Sequence, residues 1–227
     1  MKLRINSTKR LPRLQSDLQS DSKTLRYELE NLVRLALEHS PSWAKSEPVR
    51  NNAYIEAFAV HCRALIFFLY GHLDQITSNG VTQRFSALRD TDVLAHDFYS
   101  SWDRDCPPPT QVLVDSKWRA DKHVAHITTD RREVNQAGSA EQSVWRLTEA
   151  VSAVCDVMSC FLENAPSQSF EAAELVRMNR SIAVWRNKMV ASQVPPPSPG
   201  IAPPRASSSP HLQATTDGGS LSRQPNV

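Results

Sequence analysis

Apolar side chains recur along this chain at intervals of three and four residues, which gathers them on one side of an α-helix. The longest such seam keeps alternating steps of three and four through Val144, Leu147, Val151, Val154, Met158 and Phe161. Similar seams predict six helices, over residues 22–39, 51–71, 92–102, 111–130, 141–165 and 170–191. No stretch alternates apolar and polar residues strongly enough to predict a strand.

Turn and proline signals separate these seams. Pro41 is expected to end the first helix and Gly71 the second, because proline and glycine interrupt helical backbone. Residues 77–80 are predicted to be loop, and Asp92 is expected to cap the short third helix. Three prolines at 107–109 then force an extended break before the helix over 111–130.

The seams and breaks together predict an all-α fold, an antiparallel bundle of about five to six helices. Its central members are predicted to be the helices over 51–71, 111–130 and 141–165. The bundle is expected to span residues 21–191, after a disordered basic N-terminus, residues 1–20. Residues 192–227 hold eight of the fifteen prolines and no aromatic residue. Such a segment cannot bury enough apolar area to order itself, so we predict a disordered C-terminal tail.

Charge and cysteine content limit the classes of function. The first twenty residues hold five Lys or Arg against one Asp, so the formal charge of +2 leaves the body slightly acidic. This argues against a broad nucleic-acid-binding surface but leaves a local basic pocket open. Four cysteines without paired metal spacing, no secretory signal and no run of about 18 apolar residues predict a cytoplasmic protein with no membrane partner.

Candidate chemistry is concentrated on the helix over 111–130. Arg119, His123 and His126 stand at offsets of zero, four and seven, which places them on one polar face. Three interpretations are open: a metal site that includes His61 or Asp97, a structural role in which one histidine bonds a neighbouring helix, and acid–base work on a phosphodiester. The chain lacks a phosphate-binding glycine loop, a zinc-finger spacing and a nucleophile elbow.

The segment from Arg119 to His126, RADKHVAH, resembles the signature of the HEPN superfamily, in which four to six residues separate an arginine from a histidine. Asp121-Lys122 followed by Ala125-His126 is most similar to the abortive-infection branch. Arg119 stands at the longest spacing of that signature, and Ala120 occupies the position where the branch more usually has its arginine. HEPN proteins are all-helical, and many are metal-independent ribonucleases that act as dimers in toxin–antitoxin, phage-defence and RNA-processing systems.

The resemblance implies a catalytic pair, with Arg119 stabilising phosphate charge and His126 transferring a proton or positioning the substrate. It also implies Lys122 and His123 as substrate-binding residues, RNA as substrate, a homodimer, an antitoxin or defence protein as partner, and no metal or cofactor. The alternative is a non-catalytic helical bundle that acts as a protein-interaction or RNA-binding module. The sequence leaves open whether the protein is an enzyme.

Overall fold

A computed structural model describes residues 12–71, 73–77, 80–83, 89, 91–123 and 145–193. Its fold is all-α, as predicted. The helices are α1 (Gln15–Glu38), α2 (Trp43–Ser46), α3 (Pro48–Tyr70), α4 (Ala95–Phe98), α5 (Trp102–Asp105), α6 (Gln111–His123), α7 (Leu147–Asn164) and α8 (Ala172–Gln193). One compact unit ends at Gln193. Ser192 and Gln193, the first two residues of the tail predicted over 192–227, belong to α8, and residues 194–227 lie outside the described residues.

Helix α1 begins at Gln15, seven residues before the predicted start, so the boundary of the predicted disordered N-terminus at residue 20 is wrong. Residues 12–14 are also described, and the Arg13 guanidinium donates to the carbonyl oxygen of Asp92 at 2.8 Å. This bond joins the start of α1 to the segment before α4. The seam that predicted the helix begins at Leu25, whereas Leu18, about two turns earlier, is also buried.

Helices α1, α3 and α7 enclose the core. Helix α3 packs against α1, α6 and α7, and its Phe58, Cys62 and Leu65 are almost fully buried. Helix α1 was not among the predicted central helices, yet Leu29 and Leu32 are fully buried between α3, α7 and α8. The prediction missed this because polar residues cover one side of α1, and amphipathic helices can be central when several partners share the apolar side.

One end of the core is aromatic. The ring of Phe161 on α7 meets Phe68, Phe98 and Trp102 edge to face, with centroids 5.2, 6.1 and 5.3 Å away. Edge-to-face contact directs the positive ring edge at the negative ring face and so favours this arrangement. The Trp102 indole N–H donates to the Leu69 carbonyl at 2.7 Å, which satisfies its buried polar group. This cluster packs α4 and α5 against α3 and α7.

Gly71 ends α3 as predicted, with φ of 68°, a backbone conformation that favours glycine. The next segment contains two short strands, which the sequence pattern did not indicate. Ser78 and Asn79 of the predicted loop lie outside the described residues. Strands β1 (Leu73–Thr77) and β2 (Gly80–Gln83) pair antiparallel, with Thr77 opposite Gly80. The sequences of the two strands, LDQIT and GVTQ, do not alternate strictly between apolar and polar residues, so they carry no strand signal. Main-chain hydrogen bonds pair the strands whatever their side chains are.

The predicted helix over 92–102 is two short helices, α4 and α5. Asp92 does not cap either of them through a described bond; its carboxylate accepts the Arg89 N–H at 2.8 Å. The capping carboxylate of α4 is Asp97, which accepts the Leu94 N–H at 2.8 Å. Both aspartates therefore stabilise turns, and the pattern of apolar residues alone did not distinguish which one faces the helix start.

Among the described helices, only α3 is long and apolar enough to cross a bilayer. A helix in the core of a globular protein can meet the same criterion of length and composition. Burial of its Phe58, Ile66 and Leu69 against neighbouring helices accounts for that apolar content. Its length and composition are therefore those expected of a core helix.

Candidate functional site

Helix α6 carries the candidate site and is anchored by its apolar side. Leu113 and Ala120 are buried, as predicted, and α6 packs against both α3 and α7. The described part of α6 ends at His123, so Val124 and Ile127 of the predicted seam lie outside the described residues. Arg119 stands about 100° from Ala120 around the helix, which places it beside the buried side rather than opposite to it.

Arg119 is half-buried and lies within the electrostatic influence of charges of both signs. Burial, the largest effect, lowers the pKa of its guanidinium, and nearby Arg146 lowers it further, whereas Asp115 raises it. Arg146 directly precedes α7, so Arg119 faces the junction between α6 and the start of α7. The guanidinium stays charged at neutral pH, because its unperturbed pKa is far above that range. The effect of Asp115 is larger than that of Arg146, and Arg146 itself pairs with Glu149 at 3.3 Å.

The other three predicted site residues, Lys122, His123 and His126, follow Arg119 along the chain. Lys122 and His123 belong to the last turn of α6, and their side chains lie outside the described residues. His126 lies wholly outside them. The structure therefore brings Lys122 and His123 onto the same helix as Arg119 and leaves the predicted Arg119 and His126 pair untested.

Lys117 is a charged residue of this helix that the sequence interpretation missed. Its side chain is only 4% exposed, and its ammonium donates to the carboxylate of Asp121, one helical turn later. The spacing of four between a lysine and an aspartate is a recognisable helical pairing signal. Burial was the missing information, because a solvated pair and a buried pair share the same spacing.

Asp121 connects α6 to α3. Its Oδ1 lies 2.5 Å from the Nε of Arg63, an ion-pair contact without hydrogen-bond geometry, while its other oxygen accepts from Lys117. One carboxylate thus compensates two cations, and the cluster of Arg63, Lys117 and Asp121 keeps one excess positive charge. Asp121 of the HEPN-like motif therefore has a structural contact in this chain, on the side of α6 that lies about 160° from Arg119.

Neither residue considered as a further metal ligand is placed for that role. His61 Nδ1 lies 2.7 Å from Glu28 Oε2, between α3 and α1. Asp97 is occupied by the Leu94 N–H and by Arg13, whose Nε lies 3.5 Å from it. Within the part of the chain that the structure describes, no group of three or more His, Cys, Asp or Glu residues could hold a metal ion.

The cysteines are free thiols with suppressed acidity. Burial raises the pKa of Cys62 from 9.0 to about 12, and it raises the pKa values of Cys106 and Cys155 to about 12 as well. A thiol is a nucleophile only as thiolate, so these three side chains are poorly suited to covalent catalysis at neutral pH. They behave as small apolar core residues instead.

Comparison with known proteins gives no family assignment: no family model, no curated protein and no solved structure matches this chain.

Proposed function

We propose that this protein acts on RNA as a HEPN-type, metal-independent ribonuclease, with Arg119 as its phosphate-binding group and His126 as its proton-transfer group. The observation that carries the proposal is the half-buried guanidinium of Arg119 on α6, whose burial lowers its pKa more than any neighbouring charge changes it. A guanidinium presents a planar set of donors that matches phosphate oxygens in a bidentate contact. A bound phosphate would compensate the lost hydration of Arg119 and would add to the opposite charge that Asp115 already supplies.

The start of α7 adds further donors to the same place. Among the residues that the structure describes, no side chain caps the amino end of α7, and Arg146, the residue before it, lies 3.3 Å from Glu149 in the first turn. Free backbone N–H groups and the helix dipole favour an anion at such an end. Arginine side chains and helix donors would then bind phosphate from two directions.

The proposed chemistry needs no metal because RNA contains its own nucleophile. In this step a base removes the proton from a ribose 2′-hydroxyl, the 2′-oxygen bonds to phosphorus, and the bond from phosphorus to the 5′-oxygen breaks. The departing 5′-oxygen takes up a proton, and a cyclic phosphate remains. A histidine titrates near neutral pH and suits either proton transfer, while Arg119 would stabilise the charge that develops on phosphorus.

The same proposal includes a homodimer in the cytoplasm, with an antitoxin or defence protein as partner. Seven residues separate Arg119 from His126, a rise of about 10.5 Å on one helix, so one copy would not bring the two together on a single phosphate. A two-fold axis beside α6 would place Arg119 of one protomer near His126 of its partner. Lys122 and His123 would contact neighbouring phosphates.

A non-catalytic RNA-binding or protein-interaction module is the second candidate. Its support is the contact of Asp121 with Arg63 and Lys117, which gives one residue of the HEPN-like motif a structural role. In that case Arg119 and Arg146 would bind RNA phosphates without cleavage, and affinity would fall with salt as counterions are released.

The test measures cleavage and binding together, with purified protein in a chelator and an end-labelled RNA of mixed sequence. We expect wild type to cleave it, His126→Ala to lose about 100- to 10,000-fold in rate while still binding, and Arg119→Ala to lose both. Arg119→Lys keeps the charge without the bidentate contact and should recover binding better than cleavage. His123→Ala is the milder control on the same helix.

Binding by wild type without cleavage would replace the ribonuclease proposal with the RNA-binding module. Absence of both, in protein whose circular dichroism is unchanged, would reject an RNA-directed function. Elution as a monomer from a sizing column during active cleavage would reject the shared-site dimer.

A further inference from the structure

Helix α3 has apolar residues on its outer side as well as on its core side. Rotation of about 100° per residue places its main core residues at least about 140° from Val60 around the helix. These buried residues are Phe58, Cys62, Leu65 and Leu69. A second apolar set lies within about 60° of Val60. This set is the outer face of α3, defined as Val49, Ala53, Ala57, Val60, Ala64 and Phe67. Steps of three and four residues make it continuous along the helix.

The outer face is accessible to solvent. Val49 is 83% exposed and Val60 51%, and Ala53 is exposed between them. The neighbouring helices lie to either side, since α1 contacts α3 through His61 and α6 contacts it through Arg63. His61 and Arg63 stand about 100° and 60° from Val60 in opposite directions, so neither helix covers Val60. Single exposed valines are ordinary, but a continuous apolar face on one helix indicates an interaction surface.

Two residues of opposite charge border the outer face on the side of α6. Glu56 and Arg63 lie about 40° and 60° from Val60 in the same direction. Glu56 is exposed, pairs with no cation among the described residues, and has no Lys or Arg three or four positions away on α3. Arg63 shares the carboxylate of Asp121 with the buried Lys117, so its cluster keeps one excess positive charge. A carboxylate opposite Arg63 would compensate that charge.

We propose that the outer face of α3 binds the same face of a second copy of this chain, with the two helices antiparallel about a two-fold axis at Val60. Such an axis brings together residues whose numbers sum to about 120. Val60 then meets the partner's Val60. Phe67 meets the partner's Ala53, and Ala57 meets the partner's Ala64. A large side chain opposite a small one, and alanine opposite alanine, let two helices pack closely.

The charges fit the same register. An antiparallel pair about this axis brings the same border of both helices together, so Glu56 faces the partner's Arg63. Their numbers sum to 119, which leaves an offset of about 1.5 Å along the helix. Symmetry makes this contact twice. Each contact pairs a carboxylate that has no local cation with a cluster that has excess positive charge.

The antiparallel second copy is favoured over other occupants of an apolar face. In a parallel pair, the border that carries Glu56 and Arg63 would face the opposite border of the partner, where Ala57 and Ala64 stand at the same levels. Both charges would then remain unpaired. An anionic membrane attracts basic borders, whereas this border carries one residue of each sign. The interface does not depend on the proposed ribonuclease dimer, whose axis lies beside α6.

Sedimentation of the full-length protein over a range of concentrations tests the association. We expect wild type to associate reversibly. Glu56→Arg places like charges in both contacts and should weaken the association by at least about tenfold, and Arg63→Glu should do the same. An equimolar mixture of these two variants should associate at least about tenfold more tightly than either variant alone. In that mixture each copy supplies the charges that the other lacks.

Cross-linking with a short bifunctional maleimide tests the position of the axis. Val60→Cys places two thiols beside the axis and should give a cross-linked dimer. Val49→Cys is the matched control, because its two thiols would lie about 33 Å apart along the helices although Val49 is the more exposed residue. Both variants also carry Cys106→Ser and Cys160→Ser, which remove the two partly exposed native thiols.

Circular dichroism checks that every variant remains helical. Arg63→Glu loses the contact with Asp121 and is the variant most at risk of unfolding. Glu56→Arg and the two cysteine variants leave that contact intact, so they decide the outcome if Arg63→Glu does not fold. RNA cleavage is not measured, so failure of the ribonuclease proposal would leave this test unaffected.

Four outcomes would overturn the proposal. The first is a wild type that stays monomeric at every concentration. The second is association that Glu56→Arg leaves unchanged, which would place the contact between copies elsewhere, as at the axis beside α6. The third is cross-linking of Val49→Cys as efficient as that of Val60→Cys. The fourth is binding to phosphatidylglycerol vesicles by protein that does not associate, which would identify a membrane as the occupant of the outer face.

Discussion

The carboxylate of Asp121 on α6 contacts two cations, and the Nε of Arg63 on α3 lies 2.5 Å from its Oδ1. The second cation, Lys117, is almost fully buried, whereas the side chain of Arg63 is 47% exposed. The two contacts therefore differ in solvation, and this difference decides their contributions to stability. Removing a carboxylate from a buried ammonium leaves an uncompensated charge, but an exposed ion pair is screened by water.

Asp121→Ala should therefore lower the free energy of unfolding by about 3–5 kcal/mol. Arg63→Ala should cost at most about 1 kcal/mol, because water can solvate Asp121 on that side. Urea unfolding of the two variants measures the difference. Lys117→Met with Asp121→Ala should recover most of the loss, since it removes the buried charge along with its partner. An Arg63 variant as unstable as the Asp121 variant would contradict this order.

Core burial predicts a clear contrast between two positions of α3. Leu65 is fully buried and Val60 is 51% exposed. Leu65→Ala should lower the free energy of unfolding by about 2–4 kcal/mol, because it removes packed methyl groups and leaves a cavity. Val60→Ala, the control on the same helix, should change it by at most about 0.5 kcal/mol. Val151→Ala on α7 tests the second seam, and a loss like that of the control would mean that this seam is not buried.

The buried thiols predict a loss of stability at alkaline pH. Burial raises the pKa of Cys62 from 9.0 to about 12, so the unfolded chain releases this proton at lower pH than the folded chain. The stabilisation is complete below pH 9 and declines between pH 9 and 12 by about 1.4 kcal/mol per pH unit for one such thiol. Urea unfolding at several pH values, in a reductant, measures the slope. Cys62→Ala should show a shallower slope than wild type, and an equal slope would exclude this thiol as a cause.

Removal of residues 193–227 should leave the melting temperature nearly unchanged. Eight prolines and no apolar periodicity give this segment little to contribute to a core. Thermal unfolding followed by circular dichroism compares the truncated chain with the full one. Truncation after residue 185 is the matched control, because it also removes the end of α8 and its half-buried Met189. A large drop on the shorter removal would show that the tail packs on the bundle.

The apolar seams determined most of the helical architecture. Phe58, Cys62 and Leu65 follow helical spacing and are buried, and the same holds for Val151, Val154 and Met158. The pattern did not predict the hairpin, because pairing of short strands depends on main-chain hydrogen bonds. It also failed at 92–102, where the structure has the four-residue helix α4 and the first residue of α5 in place of one continuous helix.

The candidate site was predictable only in part. Arg119 could be selected from its spacing, because a fixed angle per residue determines which side chains share a helical face. The effect of Arg146 on its charge could not be predicted, since Arg146 directly precedes a different helix, α7. The role of Lys117 was missed for the same reason: its spacing from Asp121 is local, but its burial depends on α3 and α7.

The sequence by itself determined the helical seams, the proline and glycine breaks, and the face of α6 that Arg119 shares with His123. These follow from local geometry, in which backbone rise and rotation per residue are nearly constant. Only the tertiary structure decided that Asp121 joins α6 to Arg63, that Lys117 is buried, and that the charge of Arg146 acts on Arg119. Burial and charge proximity arise between helices, and the packing of those helices depends on contacts among residues far apart in sequence.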